Sequence, residues 1–379
     1  MPLIADIVAF LERFAPLDLA EEWDNVGLLA GDRRQNADRV MTCLTLTPDV
    51  AREAIERRAR LVVSHHPIVF RAVQRVTADD SQGRMLLDLL AAGIAVYSPH
   101  TAYDSAEDGI NEQLARRLEL VQIEPLRPLV APKQCKIVCF VPRSHLAPVQ
   151  EALWSAGTGV IGEYSKCSFV LDGTGSFEGS AAANPAVGKA QEFEQVAEAR
   201  LEVVCPESLV PEALRRLRGA HPYEEPAVDV YPLSGPAARG GSGRMGVLAT
   251  AAADAATVAA RHSLADFLAM VEDRLGIRDV PFVGERTRLV SRVAVACGSG
   301  GEFLSAAVRQ KCDVLLAGEA RFHTCLEARE AGVALVLAGH YATERPAMEY
   351  LATVLSRQFP RLTAWASETE RDPIQWGKE

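Results

Sequence analysis

The sequence predicts an α/β protein in which two similar α/β halves form one outer domain, interrupted by an inserted α+β module. Three observations predict it. Short apolar strands alternate with helical patterns at both ends of the chain. That rhythm breaks in the middle, between a Pro-rich and a Gly-rich stretch. Three of the apolar strands run directly into histidine-bearing segments. The expected boundaries are 1–128 and 236–379 for the two halves of the outer domain and 129–235 for the insert.

The elements follow in order. "MPLIADIVAFLERF" reads as an amphipathic helix and not as a signal peptide, because acids interrupt its apolar residues and no basic leader precedes them. "DRVMTCLTL" is β-rich. "TPDVAREAIERRA" opens with a Thr N-cap and a Pro at the first helical position. "RLVVS" is a strand, "QGRMLLDLLAAG" a helix and "IAVYS" a strand. The C-terminal part repeats the pattern through "SRVAVAC", "EFLSAAVRQ", "CDVLLAG", "RFHTCLEAREAG", "VALVLAG" and a last helix, "TERPAMEYLATVLSRQF". Such alternation implies parallel strands joined by right-handed crossovers. In the middle, "EPLRPLVAPK" (124–133) reads as a Pro-rich linker and "SGPAARGGSGRMG" (234–246) as a Gly-rich one. Between them "CKIVCFVP", "RLEVVCP" and "AVDVYPL" are strands, and "SHLAPVQEALWSAG" and "SLVPEALRRLRG" are helices.

Composition narrows the function classes. The chain has 379 residues, 48% hydrophobic and 24% charged. No apolar run approaches the ~18 residues of a membrane span. A net charge of −10 argues against broad nucleic-acid binding, which depends on Lys and Arg neutralising phosphates. The eight cysteines form no CxxC and several sit in expected strands, so reduced core thiols in the cytoplasm are the reading.

The chemistry lies in "LVVS-HHP", "IAVYSP-HTAYD" and "VALVLAG-HYATE". If their strands are parallel, all three turns share the carboxyl edge of a sheet, where ligand sites of open α/β sheets cluster. The side chains gathered there are His65, His66, His100, Asp104, His340 and Glu344. Imidazole and carboxylate suit Zn²⁺, Fe²⁺ or Mn²⁺. Pro67 pushes His66 into extended backbone, where successive side chains point to opposite sides. His65 and His66 can then serve two ions, one each, with a carboxylate such as Asp104 between them, as in hydrolytic sites with two metals ~3.5–4 Å apart. His100 and Asp104, like His340 and Glu344, have the i, i+4 spacing of one helical face.

Weaker motifs surround these. "CGSGGEF" (297–303) can cradle a phosphate, although a structural Gly turn is the commoner case. Glu319 and His323 in "GEARFH" are candidates for second-layer partners or proton donors at the same edge. Asp24 and Asn25 in "EEWDNVGLLAGD" can line the pocket, although a turn with Trp23 as a packing anchor is the commoner case. "HPYEEPAVD" gathers His221, Glu224, Glu225 and Asp229, which can bind a cation but read more simply as a surface loop.

Taken together, "WDNVGLL", "SHHPIVF", "HTAYD" and "GHYATE" resemble the family of GTP cyclohydrolase I type 2 homologues, which are hexameric proteins with a dinuclear metal centre. The middle module, through "GTGSFEG", "NPAVG" and "HPYEEPAVDVYPL", is similar to the PII-like or CutA-like insert of ferredoxin-like fold found in longer members. The resemblance implies His65, His66, Asp104, His340 and Glu344 as ligands of two divalent ions (Zn, Fe or Mn) per subunit, with Asp104 as the bridge. His100 falls outside that ligand set, as a neighbour of it. The resemblance also implies a toroidal homohexamer with its metal sites facing an internal cavity, and a small-molecule substrate or ligand such as a nucleotide. It assigns no catalytic residue. Two functions are then expected in competition: a metal-dependent hydrolase that opens a purine ring or cleaves a related nucleotide or phosphoester, and a non-catalytic regulatory or scaffold ring.

Overall fold

The structure is a computed structural model that describes residues 1–71, 73–129, 133–234, 240–249 and 262–375. It divides into two compact units. One comprises Met1–Leu129 and Arg239–Glu379, the other Val130–Ala238.

The first unit carries two mixed sheets. In the five-stranded sheet the order is Gly27–Ala30, Ala95–Ser98, Leu61–Ser64, Arg39–Cys43 and Thr363–Ala366. The last four are parallel, and Gly27–Ala30 closes one edge antiparallel. The six-stranded sheet has a parallel centre of Arg292–Ala296, Val314–Ala317 and Ala334–Leu337. Its flanking strands, Phe282–Val283, Gly241–Leu248 and Leu120–Pro128, are antiparallel. The expected parallel strands are therefore present in both sheets, while Gly27–Ala30, Phe282–Val283 and Gly241–Leu248 run the other way. The central strands are four or five residues long and almost wholly buried, which is why they read as uninterrupted apolar runs.

Local signals fix the helices. Thr47 accepts the Val50 N–H and Pro48 opens helix Pro48–Glu56. Asp80 caps helix Ser81–Ala91 by accepting the Gly83 N–H. Helix Ile4–Phe14 buries Ile4, Ile7, Val8 and Leu11, the spacing of a single apolar stripe. That stripe joins one hydrophobic core drawn from both chain segments of this unit, from Val63 and Tyr103 to Val295, Met348 and Leu355.

Both expected linkers are partly strand. Residues 120–128 and 241–248 pair antiparallel, and Pro125 and Pro128 are tolerated because Leu120–Pro128 is an edge strand. In the Gly-rich strand Arg244 is 1% exposed. It is satisfied by the carbonyls of Gly241, Gly243 and Ala106 and by the Glu112 carboxylate at 2.9 Å. Residues 130–132 and 235–239 of those linkers lie outside the described residues.

The second unit is one antiparallel sheet, ordered Phe169–Glu178, Phe193–Pro206, Gln134–Pro142 and Val228–Leu233. Helices Leu146–Ser155 and Val210–Ala220 complete a βαββαβ chain order. Their apolar faces meet Ile137, Cys139, Val141, Ala199, Leu201 and Val203 in a separate core.

Two buried carboxylates secure the C-terminal segment of the first unit. Glu53 accepts hydrogen bonds from Trp365 Nε1, the Ser367 and Thr369 hydroxyls and the backbone of Glu368 and Thr369. Glu370 accepts from Leu44 N and Thr45 N and pairs with Arg345 at 2.7 Å. Burial raises the Glu53 pKa, but its donors prevail and lower it from 4.5 to about 2. A carboxylate depressed in this way contributes stability that is present above pH 4.5 and lost as pH falls towards 2. Glu53→Gln is expected to lower unfolding stability by about 2 kcal/mol at pH 7. The gap from wild type should narrow steadily as pH is lowered from 4.5 towards 2, read by urea denaturation at each pH.

Candidate metal centre

The three histidine segments do not share the edge of a single sheet: two leave strands of the five-stranded sheet and one leaves a strand of the six-stranded sheet, and the carboxyl ends of the two sheets bring them together. Strand Leu61–Ser64 ends in His65 and His66. Strand Ala95–Ser98 leads through Pro99 into the short helix His100–Ser105. Strand Ala334–Leu337 leads through Gly339 into the short helix His340–Glu344. Both helices are long enough to bring residues i and i+4 onto one face, so Asp104 and Glu344 follow their histidines into the pocket.

The expected divergence of His65 and His66 does not occur. Their rings lie 5.1 Å apart and both approach Glu344. The cause is a local break in the strand. The N–H groups of these consecutive residues both bond to the neighbouring segment, at Cys43 O and Leu44 O, and Ser64 Oγ donates to the His66 carbonyl. Regular extended alternation has already ended there.

Glu344 is the meeting point. Its Oε2 lies 3.0 Å from His340 Nε2, 3.2 Å from His66 Nε2 and 3.8 Å from His65 Nε2. Asp104 Oδ1 lies 3.6 Å from His65 Nε2. Among the described residues, three groups bring their ligand atoms within 4.8 Å of one another: His65 with Asp104 and Glu344, His66 with His340 and Glu344, and the trio His65, His66 and His100. Glu344 belongs to two of these groups and Asp104 to one, so in this geometry Glu344 is the shared carboxylate.

Polar partners on the far side orient the rings. Thr45 Oγ1 contacts His66 Nδ1 at 2.7 Å, Glu319 Oε1 contacts His340 Nδ1 at 2.9 Å, and Asp24 Oδ1 contacts His100 Nδ1 at 2.7 Å. Each partner occupies Nδ1 and leaves Nε2 towards the pocket, the arrangement metal-binding histidines need. His65 differs. It is 1% exposed, and neither ring nitrogen has a hydrogen-bond partner. An orphaned buried imidazole is costly unless something binds it, and a cation between His65, Asp104 and Glu344 fits that need.

The charges of the cluster are set by burial and by mutual contact. Burial drives His65 well below its usual pKa, which keeps it neutral and able to ligate. Burial, and then the charge of Glu344, raise Asp104 to about 7. Glu344 is itself held low. Burial opposes ionisation, but the hydrogen bonds from His340 and His66 prevail. His340 is raised to about 9, first by its hydrogen bond to Glu344. Asp24 falls to about 2 despite burial because His100 and Thr101 donate to it. His100 adopts φ +28°, a backbone region rare for non-glycine residues, and the Asp24 contact holds it there.

The remaining candidates divide. Glu319 serves His340 directly. His323 is exposed on helix Phe322–Ala331, stands edge-on to Phe322, and does not line the cavity of about 430 Å³ in front of His66, His100, Asp104, His340 and Glu344. Asp24 is a partner of His100, while Asn25 donates to Val69 O. "CGSGGEF" has another use. Gly298 has φ +56°, and a Cβ there would stand 2.1 Å from Glu344 Oε1, so the glycine makes room for the shared carboxylate.

Sequence reasoning missed Thr45, Asn111 and Cys297. Asn111 donates to Asp104 O and accepts from Cys297 N, and Cys297 Sγ contacts Asp104 Oδ1 at 3.2 Å. The available signal was a polar Asn on the buried face of helix Ile110–Arg117.

A His–carboxylate cluster able to hold a metal ion, gathered at the carboxyl ends of strands from two α/β sheets, defines the class of site this protein carries. Comparison with known proteins identifies its family. The family model described as Duf34/NIF3 (NGG1p interacting factor 3) matches residues 2–373, and the chain belongs to that family. A Bacillus subtilis relative named GTP cyclohydrolase 1 type 2 homolog is 34% identical over 371 residues, covering 97% of each chain. A Mycobacterium tuberculosis relative of the same name is 35% identical, covering 94% of this chain and 92% of its own. Among solved structures, a Bacillus cereus protein related to NIF3 matches with TM-score 0.68 and 30% identity over 99% of both chains. A Staphylococcus aureus protein matches with TM-score 0.75 and 28% identity, again over 99% of both. No helix among the described residues is long and apolar enough to cross a membrane.

Two substitutions test the positioning. Thr45→Val and Gly298→Ala are each expected to weaken divalent-metal retention about 10- to 100-fold. Chelator competition followed by elemental analysis reads the change, with circular dichroism as the check on folding.

Proposed function

We propose that this chain is a metal-dependent hydrolase whose centre takes two divalent ions through His65, His66, Asp104, His340 and Glu344. One observation carries the proposal: two three-residue ligand groups overlap on a single buried carboxylate, Glu344. Zn²⁺, Fe²⁺ and Mn²⁺ all suit imidazole and carboxylate donors. Two such ions held there would supply hydroxide at neutral pH and polarise a substrate oxygen.

The chain's own residues do the rest. Thr45 and Glu319 fix the tautomers of His66 and His340. Asp104 carries the open side of the pocket, 21% exposed where Glu344 is 4%. His100, held by Asp24, lines the same cavity and is placed to hold a proton near bound substrate. An open pocket of this kind favours catalysis over a closed structural site. The name of the relatives suggests a purine nucleotide as substrate, with ring opening as the reaction. The family resemblance further supports a toroidal homohexamer with a PII-like second unit.

Protein purified without added metal and then loaded should hold two ions per chain, and Glu344→Gln should hold fewer than one, by elemental analysis. Loaded protein is expected to turn over GTP or a phosphoester from a screening panel. Turnover no greater than that of the His65→Ala, His66→Ala double variant would remove the hydrolase reading and leave the regulatory ring.

A further inference from the structure

The second unit holds a cavity of its own, about 660 Å³, on the sheet face turned away from its helices. Alternation along the strands creates it. On Phe193–Pro206, Ala199, Leu201 and Val203 point into the core, which puts Glu198, Arg200 and Glu202 on the opposite face. On Phe169–Glu178 the residues sharing that face are Leu171, Gly173, Gly175 and Phe177. Two glycines between two large apolar residues leave a hollow in the sheet.

The Glu198 carboxylate occupies that hollow. A Cβ on Gly175 would stand 2.1 Å from Glu198 Oε2, so only glycine lets the side chain lie across the strand. Phe140, Phe177 and Tyr223 form apolar walls, with Phe177 and Tyr223 6.4 Å apart between ring centroids. The Tyr223 hydroxyl is buried and makes no hydrogen bond of acceptable geometry. Burial, and then the neighbouring Glu198 carboxylate, push its phenol pKa up, so it stays protonated.

The charges do not cancel within the cavity. Arg200, the one cationic lining residue among the described residues, is committed to Glu202 at 2.9 Å and lies over the Phe140 ring. Asp172 is engaged by Arg143, and Glu224 accepts the Asn184 N–H. Among the described residues Glu198 has no Lys, Arg or His partner within ion-pair distance. The cavity carboxylates do not converge either. Every group able to hold a metal ion among the described residues lies in the first unit. The histidine of this region is occupied as well, since His221 Nε2 bonds Phe140 O and Nδ1 accepts the Tyr223 N–H.

We infer that this cavity binds a small organic cation, an amine or guanidine with an apolar or aromatic body, whose charged end pairs with Glu198 and whose body packs against Phe177, Tyr223 and Phe140. A half-buried carboxylate ringed by aromatic faces is the chemistry that recognises organic ammonium groups. The volume falls in the range of small-molecule sites. The inference is independent of the metal centre.

The test is isothermal titration calorimetry on the full-length protein at low salt, with tyramine, agmatine and spermidine as probes and 4-ethylphenol as the neutral counterpart of tyramine. At least one amine should bind once per chain, and 4-ethylphenol at least tenfold more weakly than tyramine where tyramine binds. Glu198→Gln should weaken amine binding at least tenfold, leaving the circular dichroism and the metal content of the first unit unchanged. Gly175→Val, which fills the hollow, should abolish it. Should Gly175→Val fail to fold, the near-isosteric Glu198→Gln decides alone. The inference is overturned if none of the three amines binds, if tyramine is the binding amine and 4-ethylphenol matches it, or if Glu198→Gln binds as wild type does.

Discussion

The first unit is organised around one buried carboxylate, Glu344, lying among three imidazoles. Ionised and 4% exposed, it would be costly to bury without its donors. His66 and His340 approach it directly, His65 stands behind them, and Gly298 contributes no side chain at the closest point. The next residue extends the constraint. Arg345 pairs with Glu370, Glu370 accepts the N–H groups of Leu44 and Thr45, and Thr45 turns His66 towards Glu344. The loop of contacts closes on itself, so moving any member disturbs the others.

Much of this was legible in the sequence because short buried strands advertise themselves. "LVVS", "AVYS" and "ALVL" are apolar at every position or nearly so, and a polar histidine directly after such a run stands out. The i, i+4 carboxylates were legible for a similar reason, since a helical turn has a fixed pitch. The flanking strands were not. In Leu120–Pro128 and Gly241–Leu248 the prolines and glycines imitate linker composition, and only their pairing with each other reveals strands. The buried Arg244 gives no apolar signal because its hydrogen bonds come from carbonyls and from a distant glutamate.

Of the partners of the histidines, Asp24 and Glu319 stand in motifs that the sequence already singled out, but Thr45 was hidden. It lies in a segment other than that of the ring it contacts, and a lone Thr after a strand carries no periodicity. The face chosen by His65 and His66 was misread because extended geometry was assumed one residue too far. Glu344 and not Asp104 is the carboxylate common to two ligand groups, which follows from the crossing of helix His340–Glu344 over the pocket and not from spacing.

Strand Thr363–Ala366 pairs with Arg39–Cys43, so two stretches far apart in the chain lie side by side in one sheet. On the ribosome, Arg39–Cys43 must wait with an open margin until residues 363–366 have been made. His65 and His66 emerge early, while His340, Glu344 and the Glu370 clasp emerge much later. A nascent chain stalled midway therefore presents an unshielded strand and an incomplete cluster, a state for chaperones to guard.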